Sequence, residues 1–192
     1  MKICFATNNN NKLIEIRNKL GKAYDIISLS DLNHDEELPE THHTLEENSL
    51  EKAQFIHQKY KINCFADDTG LLVEALNGAP GVNSARYAGL AKSSDENIKL
   101  LLHNLKGIEK RQAKFVTVIT LILGKNVHQF HGEIKGTISK KVSGDAGFGY
   151  DPIFVPDGWQ CTFAEVDLEE KNKISHRSLA VDKLIDFLQT KA

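Results

Sequence analysis

Two adjacent aspartates, Asp67 and Asp68, follow an apolar stretch in FADDTG, residues 65–70. Successive side chains of a strand point to opposite faces, so we expect the two carboxylates to face different surroundings rather than share one solvated surface. Acidic pairs at the carboxyl end of a strand suit Mg²⁺ binding or the activation of a water molecule. The alternative is a turn in which one aspartate caps the following loop.

A polar stretch, TNNNNK at residues 7–12, joins an apolar segment to a helical pattern. Helix N-termini bind phosphate through backbone N–H groups, and the ammonium of Lys12 could balance the charge. Asparagine tolerates left-handed backbone, so the loop can turn tightly without glycine. Because the glycine signature of a P-loop is missing, an ordinary asparagine-rich turn with a helix N-cap stays open.

Two later stretches could contact a nucleotide. GFGYDP, residues 147–152, combines aromatic rings with glycines that let a backbone approach closely, which suits a nucleobase; an aromatic-anchored turn is the alternative. EEKNKISHRS, residues 169–178, is a basic patch before a helix, and such patches are most often solvated helix entries.

The elements that must position these residues alternate along the chain. Strands are predicted at residues 2–6, 24–29, 62–66, 114–123, 127–139 and 153–155, with the third ending at the aspartate pair and residues 70–89 irregular. Helices are predicted from Lys12 to a stop at Gly21, after the capping pairs Thr44/Glu47 and Ser93/Glu96, and at the C-terminal end. This order predicts an α/β fold with a mixed sheet, in one domain over residues 1–192.

Composition narrows the class of protein. The formal net charge of −2 argues against bulk attraction to nucleic acid or to an anionic membrane, and no apolar run approaches the length of a membrane span. Met1 leads straight into a strand, so no signal peptide is expected. The three cysteines show no CxxC spacing, and Cys4 and Cys64 lie inside apolar runs. This predicts that these two are small buried hydrophobes rather than disulfide or zinc ligands, as in a cytoplasmic protein.

Taken in order, the motifs resemble those of the inosine triphosphate pyrophosphatase family, whose members hydrolyse dITP, ITP and XTP. The stretches that carry the resemblance span residues 5–177; they are TNNNNK, ETHHTLEENSLEKA, FADDTGLLVEALNGAPGVNSARYAG, GFGYDPIF and EEKNKISHR. The resemblance implies a long mixed sheet flanked by helices, with two lobes around a central nucleotide-binding cleft. It also implies Mg²⁺ as cofactor and a homodimer.

The resemblance also implies a role for individual residues. Asp68 would be the proton acceptor and, with Glu40, would hold the metal. Thr69 stands where the family usually has serine, and asparagine replaces a common glycine at Asn8 and Asn11. The implied substrate contacts are Thr7, Asn8, Asn9, Asn10, Asn11, Lys12, Lys52 and Thr69 in the first half of the chain, and Phe148, Gly149, Tyr150, Asp151, Lys171, His176 and Arg177 in the second.

The function that the resemblance implies is hydrolysis of non-standard purine nucleoside triphosphates to the monophosphate and pyrophosphate, which would remove deaminated purines from the nucleotide pool. The substrate would be a small molecule rather than a nucleic acid polymer. A related pyrophosphatase that prefers another base, such as a modified pyrimidine, and a nucleotide-binding regulatory module without turnover are the alternatives. The set of acids (Glu40, Asp67, Asp68) argues against the second.

Overall fold

The computed structural model describes residues 2–20 and 24–190 of the chain. Within these ranges the helices are α1 Asn10–Leu20, α2 Leu45–Tyr60, α3 Ser94–Asn104, α4 Leu168–Ile174 and α5 His176–Gln189. The strands are β1 Lys2–Ala6, β2 Asp25–Ile27, β3 Cys64–Val73, β4 Pro80–Gly81, β5 Gln112–Leu123, β6 Asn126–Ile138 and β7 Phe154–Pro156. The predicted helix stop at Gly21 lies outside the described residues.

These strands form a seven-stranded sheet in the order β2-β1-β3-β5-β6-β7, with β4 paired to β3. β1 pairs in parallel with β2 and β3, whereas β4 is antiparallel to β3 and β7 is antiparallel to β6. The predicted α/β fold with a mixed sheet is therefore confirmed. None of the helices in the described ranges is long and apolar enough to cross a membrane.

Two compact units divide the chain. Unit 1 comprises residues 1–68, 117–132 and 177–192, and unit 2 comprises residues 69–116 and 133–176. The core of unit 1 contains Phe5 stacked on Phe65 with ring centroids 4.7 Å apart. The apolar stripe of α5, including Val181, Leu184 and Leu188, packs into the same core, as the helical spacing predicts.

Unit 2 has its own apolar core, in which Leu101 of α3 and Leu105, the residue after this helix, pack with Phe115, Phe154 and Phe163. Buried Arg111 joins the end of α3 to the end of β6. Its guanidinium donates to the carbonyls of Leu105, Ile138 and Ser139 at 2.8–2.9 Å, so three backbone acceptors are satisfied by one side chain.

Helix caps were predicted well and the third strand was not. Thr44 and Ser93 each accept a hydrogen bond from the backbone N–H three residues on, as N-caps of α2 and α3. β3, in contrast, continues past the aspartate pair to Val73. Residues 70–73, predicted to be irregular, are thus part of the strand. Glycine is required at position 70 because a Cβ there would come within 2.8 Å of the carbonyl oxygen of Gly81 in β4.

Helix α4 was also missed. The sequence EEKNKI was interpreted as a polar entry to the last helix, but residues Leu168–Ile174 form a short helix with Asp167 as its N-cap. Asp167 accepts a hydrogen bond from the N–H of Glu170 at 2.9 Å. A side-chain cap compensates for the absence of an apolar stripe, which explains why periodicity gave no signal.

Candidate active site

Side chains of the loop before α1 hold its backbone. The side-chain oxygen of Asn9 accepts from the N–H groups of Asn11 (2.9 Å) and Lys12 (3.2 Å), and the N–H of Asn9 donates to the Thr7 hydroxyl (3.2 Å). The loop therefore contains the N-cap that the sequence left open. No asparagine at positions 8–11 has a positive φ, so the loop does not use the left-handed backbone that asparagine tolerates. The side-chain cap of Asn9 holds the turn instead.

The neighbours of Asn9 point elsewhere. The Asn8 side chain donates to the carbonyl of Glu36 and accepts from the N–H of Leu38, both at 3.1 Å. Asn10, an exposed residue, begins α1. Asn8 thus joins the loop to a segment nearly thirty residues further along the chain.

The aspartate pair lies directly beyond the end of β1. Ala6, the last residue of β1, pairs with Ala66, so Asp67 and Asp68 extend past their neighbour at the edge where the 7–9 loop begins. Ligands of α/β sheets bind outside the carboxyl ends of parallel strands. The geometry of the sheet thus brings the loop and the acids of unit 1 to the same edge.

Asp67 faces two cations. Its carboxylate accepts from the Lys12 ammonium at 3.0 Å and from Nε of Arg177 at 3.1 Å, and its side chain is fully buried. A second buried carboxylate, Glu15 on α1, accepts from the other side of the Arg177 guanidinium. Three elements of unit 1 therefore meet in one buried ionic network: α1, β3 and α5.

Asp68 faces α2 instead. Its Oδ1 accepts from the Lys52 ammonium at 3.1 Å, and its Oδ2 accepts from the side-chain amide of Asn48 at 3.2 Å. The same ammonium donates to Oε1 of Glu40 at 2.7 Å. The expectation that the two aspartates face different surroundings is confirmed, and Glu40 and Asp68 converge on a single cation.

The electrostatics separate the two acids. Burial alone would raise the pKa of Asp67, but Lys12 and Arg177 outweigh it and hold the pKa well below its usual range. Burial raises the pKa of Asp68, and the nearby lysines do not fully offset it. Burial likewise lowers the pKa of Lys12, whereas Asp68 and Glu40 overcome burial and raise the pKa of Lys52. Asp67 is thus held ionised, while Asp68 is the better proton acceptor.

The carboxylates of Glu40 and Asp68 fit a divalent cation that is also bound by the phosphates of a substrate. In the described part of the chain no three His, Cys, Asp or Glu side chains gather into a metal-binding group. Mg²⁺ is commonly bound by one or two carboxylates together with substrate phosphates and water, so it does not require such a group. Glu40 and Asp68 already place one oxygen each against one positive charge, that of Lys52.

In unit 2 the GFGYDP loop is built around Asp151. Its Oδ2 accepts from the N–H of Phe148 at 2.8 Å and from the Lys171 ammonium at 2.7 Å. The same ammonium lies 4.7 Å from the centroid of the Phe148 ring, a cation–π distance. Gly147 is required here, since at φ +73° a Cβ would come within 2.2 Å of the Asp151 carboxylate.

The other predicted substrate contacts of unit 2 differ in solvent exposure. Tyr150 is buried and donates its hydroxyl to the carbonyl of Ser84 at 2.9 Å, whereas Phe148 is only half-buried. His176 is buried and stacks on Phe115 with ring centroids 4.5 Å apart. Gly149, at φ +63°, and half-buried Thr69 complete the predicted set in this unit. Of the two loop aromatics, Phe148 is the more exposed residue.

Two residues of this network were given no role from the sequence. Glu15 lies three positions after Lys12, the spacing that places side chains on one face of a helix, so its proximity to the loop lysine could have been predicted. Asn48 lies four positions before Lys52, so the sequence places the two side chains on one face of α2, but its contact with Asp68 depends on tertiary packing. Neither residue belongs to a pattern that indicates its partner.

The chain belongs to the Ham1 family, whose model matches residues 3–187. It is 50% identical over 189 residues to a dITP/XTP pyrophosphatase from Flavobacterium psychrophilum, covering 98% of this chain and 100% of the relative. A protein of the same name from Porphyromonas gingivalis is 51% identical over 188 residues, covering 97% of each chain. The solved structure of the Staphylococcus aureus Ham1 protein matches with a TM-score of 0.90 at 38% identity over 100% of both chains. The family resemblance of the sequence motifs is thereby confirmed.

Proposed function

We propose that this chain is a Mg²⁺-dependent nucleoside triphosphate pyrophosphatase that hydrolyses dITP, ITP and XTP or dXTP to the monophosphate and pyrophosphate. The observation that carries the proposal is the pair of buried carboxylates on β3, which face separate lysines. The name of the relatives from F. psychrophilum and P. gingivalis, dITP/XTP pyrophosphatase, supports the same substrates.

Asp68 is the proposed general base. A water molecule attacks the α-phosphorus, its proton passes to the Asp68 carboxylate, and the bond from the α-phosphorus to the bridging oxygen breaks so that pyrophosphate leaves. Burial raises the pKa of this carboxyl, which brings a weak base closer to the strength that proton transfer near neutral pH requires. Asp67, paired with two cations, holds Lys12 and Arg177 instead.

The triphosphate is proposed to bind beside the 7–12 loop of unit 1. Lys12 and Lys52 supply positive charge, and Thr7 with the asparagines of the loop supplies polar contacts at a helix N-terminus, where anions are favoured. Glu40 and Asp68 would hold the Mg²⁺. When bound, Mg²⁺ supplies further neutralisation of the charge on the phosphate oxygens.

The base is proposed to be recognised mainly by unit 2. Phe148 covers one ring face, because it is the more exposed of the two loop aromatics and the ammonium of Lys171 fixes it from one side. Inosine and xanthine present an acceptor oxygen at C6 where adenine presents an amino donor. Donors on His176 and Arg177 would pair with that oxygen and disfavour adenine.

The proposed role in the cell is removal of deaminated purine triphosphates from the cytoplasmic nucleotide pool before polymerases use them. We also propose a homodimer, as the family resemblance implies. Light scattering on the purified chain would then give a mass of twice 21.4 kDa, and a value of 21.4 kDa would contradict the dimer.

The decisive experiment is hydrolysis of ITP, XTP, GTP and ATP side by side, with separate detection of pyrophosphate and orthophosphate. We expect pyrophosphate from ITP and XTP, loss of turnover in EDTA and recovery with Mg²⁺. Release of orthophosphate and a nucleoside diphosphate would contradict attack at the α-phosphorus. Binding without turnover would favour a regulatory module.

A further inference from the structure

The segment that carries Glu40, residues 36–42, has no regular secondary structure and is fastened by side chains on both flanks. Asn8 holds the first flank through the backbone of Glu36 and Leu38. On the other flank, the Glu51 carboxylate accepts from the N–H and hydroxyl of Thr41 at 2.9 and 2.8 Å. A carboxylate in a loop is positioned only as well as the loop is held, so these contacts matter for Glu40.

Asn48 differs from Asn8 and Glu51, which also bond to this segment, because it donates a hydrogen bond to Asp68 as well. Its Oδ1 accepts from the N–H of His42 at 2.9 Å, and its Nδ2 donates to the carbonyl of His42 at 3.3 Å and to Oδ2 of Asp68 at 3.2 Å. A reversed amide would set an oxygen against the carboxylate and an NH₂ group against an N–H. The partners therefore fix the orientation of the side chain.

We infer that Asn48 is a positioning residue that sets the Glu40 segment and the Asp68 carboxylate in fixed relation to each other. The inference rests on the proposed function, in which these two acids hold the metal. Lys52 already bonds to one oxygen of each acid, and Asn48 takes the second oxygen of Asp68 and the backbone two residues after Glu40. Because its amide is neutral, Asn48 orients both acids without adding a positive charge that would compete with the metal ion for their carboxylates.

Burial and helix geometry support this role. Asn48 is fully buried, one turn before Lys52 on α2, so the two side chains reach toward β3 from one face of the helix. Partners that hydrogen-bond to metal-binding side chains typically change metal affinity or activity by about 10–100-fold when they are removed. An effect of that size separates a positioning role from an ordinary buried hydrogen bond.

The test compares Asn48→Ala with Ser49→Ala in the full chain. Ser49 is the matched control because it is equally buried on the same helix, but its hydroxyl bonds to Thr120 and to the carbonyl of Glu46. The metal readout is the dissociation constant of Mn²⁺, measured by electron paramagnetic resonance. An ITP analogue with a methylene group at the α–β bridge is present at saturation. Thermal unfolding and steady-state hydrolysis of ITP accompany it.

We expect Asn48→Ala to raise the Mn²⁺ dissociation constant by about 10–100-fold and to lower kcat more than it raises KM, because metal and base are affected. Ser49→Ala should leave the Mn²⁺ constant within about twofold, although both substitutions reduce stability by disrupting buried hydrogen bonds. If Asn48→Ala does not fold, Asn48→Ser replaces it, since its hydroxyl can bond to the carbonyl one turn back.

Each outcome assigns a failure to one proposal. Equal Mn²⁺ constants for the wild type and the Asn48 variant, with hydrolysis intact in the wild type, would overturn the positioning role and leave the proposed function standing. A wild type that neither binds Mn²⁺ in this complex nor hydrolyses ITP would overturn the proposed function, and the role of Asn48 with it.

Discussion

Asp67 and Asp68 are adjacent in the chain, yet their surroundings give them different tasks. Asp67 is buried between Lys12 and Arg177, so Asp67→Asn removes a partner from two buried cations, which typically costs about 3–5 kcal/mol. Asp68→Asn keeps the shape but cannot accept a proton, and we expect kcat/KM for ITP to fall by about 10²–10⁴-fold. Stability should fall less than in Asp67→Asn, because Lys52, the cation that loses this partner, keeps Glu40. Urea unfolding and steady-state kinetics on both variants check this. A fully active Asp68→Asn enzyme would require another base.

The pairing of Asp67 also predicts a pH dependence of stability. Its pKa in the folded chain lies below the ordinary value of 3.8, so its stabilising contribution is complete above that pH and is lost as the pH falls through the folded pKa. The gap in unfolding free energy between wild type and Asp67→Asn should therefore shrink by about 1 kcal/mol between pH 7 and pH 3. Urea curves in EDTA measure it, and a gap that does not narrow would place Asp67 in a different ionic state.

At the scale of elements, the loop of unit 2 depends on Gly147. Gly147→Ala places a methyl group against the Asp151 carboxylate, whereas Gly158→Ala meets no atom within 4 Å although both glycines have positive φ. Both substitutions strain the backbone, so the clash alone should make Gly147→Ala less stable by a further ~1–3 kcal/mol. Displacing Asp151 also releases Phe148, and KM for ITP should rise. Similar urea midpoints for the two variants would contradict this account.

The pairing of β1 with β3 predicts which thiols react. Cys4 and Cys64 are register partners in the buried sheet, and burial raises the pKa of each to about 12. Thiolates are the reactive species, so in the native chain only half-buried Cys161 should react with Ellman's reagent near pH 8. Denaturation should expose all three. Cys161→Ser is the control, and a native signal in that variant would mean that the sheet opens locally.

Local signals predicted the elements with short-range causes. Thr44 and Ser93 cap helices as their spacing indicates, and the apolar stripe of α5 faces the core. The error at β3 involves a non-local contact, because the residues after Gly70 pair with β4 and local sequence signals do not show this pairing. For the candidate site, the roles that the family motifs imply stay predictions, and no motif indicates that Asn9 caps α1 or that Glu15 pairs with Arg177. Such contacts depend on side chains brought together by tertiary packing.

At the scale of the whole molecule, phosphate and base recognition should be separable by substitution. Lys12→Ala removes a charge near the triphosphate site and should lower kcat/KM for ITP and ATP alike. His176→Phe keeps the stack on Phe115 but removes a donor, and we expect the ITP/ATP ratio to narrow by about 10–100-fold, the value of one or two hydrogen bonds. Kinetics on ITP, GTP and ATP decide it. An equal loss of kcat/KM on all three nucleotides would exclude a role of His176 in recognising the base.

The role of Arg177 must be tested with a substitution that keeps its positive charge. Its partners Glu15 and Asp67 are both buried, so Arg177→Ala would leave carboxylates unpaired and lower stability as well as selectivity. Arg177→Lys retains a charge for the network while changing the number and direction of the donors. A narrowed ITP/ATP ratio in a stable Arg177→Lys variant would support a base-reading role, and an unchanged ratio would assign Arg177 to the network alone.

The division of the chain has a consequence for synthesis on the ribosome. Unit 1 is assembled from three separate stretches, the last beginning at Arg177, whose partners Glu15 and Asp67 lie 162 and 110 positions earlier. β1 and the aspartates of β3 therefore leave the exit tunnel long before α5 can cover the core of unit 1, whereas unit 2 is complete when His176 emerges. The nascent chain must carry an unfinished apolar sheet until α5 has been synthesised, and contacts of this span are slow to form. A premature stop codon before α5 would thus leave the apolar side chains of β1, the first strand to be synthesised, without the helix that packs against them.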